Sequence, residues 1–599
     1  MTDDAPPLDQ PALEWTDDGQ PRSRRFGDVY FSAQDGLAET RAVFLDGCGL
    51  PDAWAGRRTF TVAELGFGTG LNIVALLDLW RRTRPAGARL HIFSVEAYPV
   101  TADEAARALV HWPELAEIAS LLTSRWPGRA RGRHRVELAE LDAILDLAVL
   151  DVAEALEGWT GAADAWFLDG FSPALNPQMW TDAVLALVAA RSAPGARAAT
   201  FTVAGQVRRG LAAAGFTVDR RPGFGRKRER LEAVLPGRAA DLPPRRVAIV
   251  GAGIAGAAAA HAVRALGGEA VVVEAHAPGA GASGNPAALV TPRLDAGLGE
   301  AARLFAQAFA RATALYDAID GAVLSRGVLQ LAADPKDADR FAKITTADVF
   351  EPGALALLDA AAAGQRLGEP APAALDQSAA QVVDPAPILA AWLDEPRIAA
   401  VASLVADGDA WRLLDADGRE ILRADAVILA AALGSRDLAP DLPLQPVRGQ
   451  ASWTTDHADA PAAAWGGYVL PTRDGLLFGA THDRDDAETD LRPADHRRNL
   501  DLVAQALPRL AERLAAASLD GRASIRAVTP DRLPLAGPLG EAGLFALTGF
   551  GSRGFSLAPL LAEHVAALAL GAPSPISRAA AELVAPDRFA RRAARRARS

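Results

Sequence analysis

The 599-residue chain is predicted to be an α/β protein of two successive units, each opening on a strand, a glycine-rich turn and a helix. Three observations predict this. A chain of this length exceeds what one hydrophobic core supports, so roughly three or four parts of about 150 residues are expected. Short apolar strands alternate with helical stretches through the first part, the signature of a doubly wound sheet. Between the two glycine-rich turns, the run LPGRAADLPPRR, residues 235–246, closes one pattern with proline, glycine and charge before a new strand at Val247.

Composition narrows the function. Hydrophobic residues make up 50% and charged ones 23%, proportions of ordinary soluble proteins. The opening MTDDAPPLDQ is acidic and proline-rich where a secretory signal is basic and apolar, and no apolar stretch reaches about 18 residues, so a cytoplasmic protein with no membrane partner is expected. Cys48 is the only cysteine, which excludes internal disulfides, thiolate clusters and Cys-x-x-Cys pairs; no metal is called for, and the chemistry must come from other groups or from cofactors. The net charge of −12 argues against a polyanionic partner, but arginines cluster in RWPGRARGRHR (125–135), RRPGFGRKRER (220–230) and RFARRAARRAR (588–598). Such clusters are often solvated surface; taken together they favour an RNA-sized anion. No repeat of 20 to 50 residues is present, and the alanine runs at 257–260 and 360–363 sit in helical contexts.

The first unit reads in order as FTVAELGFG, NIVALLDLWRR, LHIFSVEAYP, TADEAARALV, AWFLDGF and MWTDAVLALVAARS. Gly66, Gly68 and Gly70 follow the first strand, where glycine lets the backbone turn tightly and approach a ligand that a Cβ would exclude. Glu96 closes the second strand, placed to accept the hydroxyls of an adenosine ribose. With Glu64 ahead of the glycines, the pattern resembles class I methyltransferases, which implies that this carboxylate faces the methionine amino group of S-adenosyl-L-methionine. Asp169, ending a later strand, is expected to hold or deprotonate an acceptor amine, because a protonated amine has no lone pair to attack with; a plain turn before Gly170 is the alternative.

The second unit opens on RRVAIVGAGIAG, where Gly251, Gly253 and Gly256 pass from strand to helix and Glu274 closes the next strand. This is a full dinucleotide fingerprint, with pyrophosphate at the helix N-terminus and ribose on the acid. Residues 300–520 mix helices with alternating strands such as GYVLPTRDGLLFGATHD, suggesting an antiparallel substrate-capping sheet. ADAVILAAALGS (424–435), with Gly434, resembles the strand and turn that amine-oxidase flavoproteins return to the cofactor. The terminal LFALTGFGSRGFSLAPLL adds a turn through Gly549, Gly551, Ser552 and Gly554 and a helix whose N-terminus can stabilise charge on a reduced flavin, which favours FAD over NAD. GASGNPAALV, with Gly281 and Ser283, resembles the loop that passes the flavin in the same superfamily. Arg526 resembles the arginine that clamps a substrate carboxylate there, and Arg553 is a second candidate; either could instead pair with a structural carboxylate.

ELGFGTGLN, DAWFLDGFSPALNPQMW, ATFTVAGQVRRGLAAAGF and GFGRKRE, followed by GAGIAG, GASGN, TPDRLPLAG and GSRG, together resemble the MnmC family of bifunctional tRNA wobble-uridine modification enzymes over nearly the whole chain. The resemblance implies a Rossmann-like class I methyltransferase domain over residues 1–238, followed by a two-part FAD oxidoreductase over 246–599. FAD-binding parts are expected near 246–300, 385–440 and 520–580, and capping parts near 300–385 and 440–520. It further implies FAD-dependent removal of the carboxymethyl arm from 5-carboxymethylaminomethyl-2-thiouridine, then methylation of the exposed amine using S-adenosyl-L-methionine. The clusters at 125–135 and 220–230 would contact tRNA phosphates and Arg526 the carboxymethyl arm. The tail after Arg588 matches nothing in the family's pattern and reads as a disordered end. On residues alone, two rivals stay open: an amino-acid oxidase fused to a small-molecule N-methyltransferase, and a tRNA-binding scaffold with relic nucleotide folds.

Overall fold

A computed structural model describes residues 13–17, 19–31, 35–225, 228–240, 245–456 and 460–597. MTDDAPPLDQ, Arg226 and Lys227 of the second arginine cluster, residues 241–244 of the joint and Arg598 lie outside them. By internal packing the chain divides into Met1–Pro243 with Pro573–Arg578, and Pro244–Ala572 with Ala579–Ser599.

The first unit is built on an eight-stranded sheet ordered Gly132–Leu138, Ala143–Val149, Arg89–Val95, Thr59–Leu65, Ala163–Leu168, Ser192–Thr200, Glu229–Val234 and Thr217–Pro222. The five strands from Ala143–Val149 to Ser192–Thr200 are parallel, and the outer ones antiparallel. Parallel strands covered on both faces must be apolar on both, which is why TFTVAEL is buried after its first residue. Chain order reverses at Thr59–Leu65, so the crevice for a ligand falls at the carboxyl ends of this strand and Ala163–Leu168.

The second unit holds two principal sheets. Six strands, ordered Arg397–Ile398, Glu269–Glu274, Arg246–Val250, Ala426–Leu429, Leu544–Thr548 and Leu535–Pro538, form the layer on which the helices Ile254–Ala265 and Gly554–Leu570 lie. A ten-stranded, mostly antiparallel sheet centres on Gln445–Thr454 and includes the hairpin Tyr468–Pro471 and Leu476–Gly479. Two segments grouped above with the cofactor-binding part belong to this second sheet: Asp520–Val528 pairs along Gln445–Thr454, and Ala288–Val290 pairs with Ala374–Val383.

The arginine-rich end is not the disordered tail expected. Arg588–Arg596 is a helix, and the Arg588 guanidinium is buried, donating to Asp531 Oδ1 at 2.8 Å, Asp531 Oδ2 at 3.0 Å and the Leu533 carbonyl at 2.7 Å. Arg592 adds a bond to Asp531 Oδ2 at 2.7 Å. A guanidinium that satisfies its donors in this way fixes the segment where composition alone suggested none. Among the described residues, no helix is long and apolar enough to cross a membrane.

Candidate active sites

In the first unit the glycine turn is set by backbone contact. Gly66, Gly68 and Gly70 all take positive φ (+90°, +53° and +77°). A Cβ on Gly66 would stand 3.1 Å from Gly170 Cα, and one on Gly68 would meet the Tyr30 ring at 3.0 Å. The loop wall is therefore bare backbone, the surface a nucleoside cofactor needs. Glu96 follows the strand Arg89–Val95, half-buried, and its two oxygens accept from Gly68 N at 3.1 Å and Tyr98 N at 2.8 Å. Burial raises its carboxyl above the usual range against those bonds.

Glu64 lies deeper than expected. It is closed to solvent, with Ser94 Oγ donating at 2.6 Å and Asn72 Nδ2 at 3.1 Å, and so offers a ligand no surface in this conformation. Burial first, and then the charge of Asp169, push its carboxyl up to about 8 against the Ser94 and Asn72 bonds. Asn72 is the residue that sequence reasoning missed. Its Nδ2 also reaches Asp169 Oδ2 at 2.8 Å, while Thr40 Oγ1 donates to its Oδ1 at 2.8 Å and so fixes the amide's orientation. A polar side chain in the first turn of the apolar helix LNIVALLDLW was the available signal, since buried amides need partners.

Asp169 stands at the carboxyl end of the switch-point crevice, half-buried, and also accepts from Gly170 N at 2.8 Å. That bond is the turn contact of the plainer reading, and it coexists with the link to Asn72. Four aromatic rings gather nearby: Phe26 and Tyr30 lie 4.8 and 5.3 Å from Phe171, and Phe26 lies 6.0 Å from Tyr98.

The second unit repeats the acid-to-turn device. Glu274 Oε2 accepts from Ala252 N at 2.7 Å and Oε1 from His276 N at 3.0 Å, the counterpart of the Glu96 pattern. Gly251 has φ +110°, and a Cβ there would lie 2.7 Å from the Ala430 carbonyl oxygen; one on Gly256 would lie 1.8 Å from the Gly251 oxygen. Gly253 caps the helix Ile254–Ala265, and Ser283 Oγ accepts from Ile254 N at 3.0 Å, joining the 281–290 loop to that turn. Arg522, also unforeseen, holds the same loop by donating to the carbonyls of Gly281 at 3.0 Å and Gly284 at 2.7 Å. Gly281 itself is exposed, with open space where its Cβ would be.

At the third return of the chain the strained residue is not Gly434, whose φ is −61°, but Ala432 at +49°, whose carbonyl accepts from Thr548 Oγ1 at 3.0 Å. Gly549 and Gly551 take positive φ, Ser552 is exposed, and Gly554 starts the long helix, where a Cβ would lie 3.1 Å from Ile254. These backbone turns and the two helix N-termini fit a dinucleotide cofactor.

Arg526 and Arg553 resolve the question of structural pairing. Arg526 donates to the Thr481 carbonyl at 3.1 Å and lies over Gly449, where a Cβ would come within 2.3 Å of the guanidinium. Arg553 reaches only the Pro292 carbonyl, at 3.5 Å. Neither has a carboxylate partner among the described residues, and burial lowers both guanidinium pKa values, with Arg293 adding repulsion at Arg553. Each guanidinium is thus desolvated and held by a carbonyl alone, without a counter-charge among the described residues.

The two upstream arginine clusters behave differently. Arg135 is buried against Asp146 at 2.7 Å and Arg133 donates to the Ala155 carbonyl, while Arg125 pairs doubly with Glu140 and Arg131 with Glu154. Arg220 pairs with Glu229, and Arg230 with Glu232. Most of the cluster arginines expected to face phosphates are thus engaged within the unit. Among the described residues, no group of three or more His, Cys, Asp and Glu side chains is placed to hold a metal ion.

Residues 246–568 match the family described as FAD dependent oxidoreductase, and residues 113–236 the family described as S-adenosyl-L-methionine-dependent methyltransferase. A relative from Caulobacter sp. (strain K31) is 62% identical over 97% of this chain and 98% of its own. One from Caulobacter vibrioides is 61% identical (96% and 97%), and one from Maricaulis maris 44% (100% and 99%). Each bears the name tRNA 5-methylaminomethyl-2-thiouridine biosynthesis bifunctional protein MnmC.

Proposed function

The chain belongs to the MnmC family of bifunctional tRNA-modifying proteins, and on that premise we propose that it carries out two successive steps on the wobble uridine of tRNA, in the cytoplasm where tRNA is found. The second unit removes the carboxymethyl arm of 5-carboxymethylaminomethyl-(2-thio)uridine, and the first methylates the amine so exposed. The observation that carries this reading is the presence of two acid-braced glycine turns, at Glu96 with Gly68 and at Glu274 with Ala252, together with a desolvated Arg526 that has no carboxylate partner among the described residues. A carboxylate-bearing amine is thus the natural substrate of the second site.

When bound, FAD would supply an acceptor for the hydride lost from the arm's methylene carbon, and S-adenosyl-L-methionine would supply the methyl group. Arg526 holds the arm's carboxylate through its guanidinium, and Arg553, at the start of the helix Gly554–Leu570, keeps positive charge beside the glycine turn that would hold the flavin. Water then adds to the imine, the carbon–nitrogen bond breaks, and the two-carbon fragment leaves. In the first unit Asp169, oriented by Asn72, holds the aminomethyl group and takes its proton, so that a nitrogen lone pair faces the methyl donor. Gly251, Gly253, Gly256, Glu274, Gly281, Ser283, Gly434, Gly549, Gly551, Ser552 and Gly554 would line the FAD site. Gly66, Gly68, Gly70 and Glu96 would line the methyl-donor site, with Glu64 beneath it. The test is mass spectrometry of wobble nucleosides from tRNA incubated with the protein. The aminomethyl form should accumulate without S-adenosyl-L-methionine and convert to methylaminomethyl when it is added; an unaltered substrate nucleoside overturns the proposal.

A further inference from the structure

Of three exposed cations at one end of the first unit, only Arg228 belongs to an arginine cluster of the sequence. Arg24, Arg208 and Arg228 are exposed and have no carboxylate partner among the described residues. All three sit at one end of the first unit's sheet. Arg208 lies in the first turn of the helix Gly205–Ala213, which follows the carboxyl end of Ser192–Thr200. Arg228 immediately precedes Glu229–Val234, whose Leu231 pairs with Thr200 at that same end. Arg24 belongs to a segment that packs beyond the end of Ala163–Leu168, where Asp28 Oδ2 accepts from Ser172 N at 3.3 Å and Phe26 meets Phe171.

At the same carboxyl end of the sheet lie the half-buried rings of Phe26, Tyr30, Tyr98 and Phe171, with the Arg25 guanidinium 4.5 Å above the Tyr98 ring. Phe171 is next but one to Asp169, and Tyr98 next but one to Glu96. Aromatic faces left partly open beside a reacting carboxylate, with unpaired arginines around them, suit a splayed nucleobase and its flanking phosphates. Small amines need neither feature.

We propose that this carboxyl-end face is the landing surface for a single-stranded RNA loop, with one base stacked against the Phe26–Phe171 pair and the backbone phosphates taken by Arg24, Arg208 and Arg228. The inference rests on the tRNA reading above and assigns it a place. The test uses the full chain and a fluorescein-labelled anticodon stem-loop, with affinity read by anisotropy across a salt series. The triple variant Arg24→Gln, Arg208→Gln, Arg228→Gln should flatten the log–log salt slope by about two, at roughly 0.7 for each phosphate no longer neutralised, and raise the methylation KM while leaving kcat and S-adenosyl-L-methionine binding in place. An abasic wobble position should weaken binding to the unmodified protein about tenfold but add little further weakening in Phe26→Leu, the sign that ring and base act on one another. An unchanged slope in the triple variant, or full additivity of the abasic and Phe26→Leu effects, overturns the inference while leaving the tRNA reading intact. If the unmodified protein binds no stem-loop, both fall.

Discussion

Asn72 Nδ2 stands 2.8 Å from Asp169 Oδ2, and the same nitrogen stands 3.1 Å from Glu64 Oε1. One amide thereby ties the carboxylate proposed to receive the substrate's proton to a carboxyl sealed beneath the glycine turn. Since Thr40 fixes the amide from behind, the position of Asp169 depends on a side chain that is itself oriented by the fold. Replacing Asn72 by Leu removes a hydrogen bond to a charged group, worth about 1.5–3 kcal/mol. Methylation kcat should fall roughly ten- to a hundredfold by the rate arithmetic, with oxidation of the carboxymethyl substrate unchanged. Single-turnover methylation of aminomethyl-tRNA measures the first and flavin reduction the second; equal losses in both would show general unfolding instead.

Glu64 makes the first unit's stability depend on pH in a defined direction. Its folded carboxyl is pushed up to about 8, mainly by burial, well above an unfolded glutamate. Between the two values the folded state holds a proton that the unfolded state has released, so its contribution is intact at acidic pH and is lost as pH rises toward 8. Glu64→Gln removes that dependence and keeps a partner for Asn72. Calorimetric melting should show the variant gaining on the parent from about pH 5 to pH 8 by a few kcal/mol, with a constant gap beyond. A gap that shrinks with rising pH would contradict the assignment.

The glycine turns were readable because their constraint is local: a positive φ or a backbone contact leaves glycine in the sequence whatever the rest of the chain does. Arg135 shows what was not local. In sequence it belongs to an arginine run, yet strand register sets it opposite Asp146, and the pair is buried together. Arg522 and Arg588 were likewise hidden, because the carbonyls and carboxylate they bind come from segments remote in the chain. Gly434 shows the converse. The glycine was visible and the turn real, but the strained backbone falls on Ala432. Charge clusters and lone glycines report composition; which of them meets a partner is decided by pairing across strands.

Gly251→Ala separates the two units. At φ +110°, with a Cβ 2.7 Å from the Ala430 oxygen, alanine forces apart the strands Arg246–Val250 and Ala426–Leu429 where the turn leaves the sheet. The purified variant should lose its bound flavin, read as absorbance near the visible flavin band, while methylation of aminomethyl-tRNA stays within about twofold of the parent. Retained colour would show that this turn does not carry the cofactor.

Arg526 should discriminate between the two reactions more sharply than any other side chain. Its guanidinium is desolvated, has no carboxylate partner among the described residues and lies against Gly449, so Lys, with a single compact charge, cannot reproduce the fork. Both Arg526→Lys and Arg526→Ala should lower kcat/KM for the carboxymethyl substrate by about ten- to a hundredfold, as expected for a charged hydrogen-bonded contact. Methylation of tRNA already bearing the aminomethyl group should be unaffected, because that substrate carries no carboxylate. Equal performance of Lys and Arg would reduce Arg526 to a general positive charge.

The terminal helix rests on one carboxylate. Asp531 accepts from both Arg588 and Arg592, and the Arg588 side chain is only 2% exposed against 20% for Asp531. The two guanidinium groups hold the Asp531 carboxyl far below the usual carboxylate range despite its partial burial. A depressed folded value means that this stabilisation is complete above the pKa of an unfolded aspartate and is lost as pH falls below it. Asp531→Asn leaves a buried guanidinium without its counter-charge, a change that costs about 3–5 kcal/mol where both partners are enclosed and less here because Asp531 is partly exposed. The second unit of the variant should melt several degrees lower at pH 7, the difference narrowing toward pH 3, and limited proteolysis should cut first within residues 585–597. A tail cleaved equally fast in the parent would show that Arg588 anchors nothing.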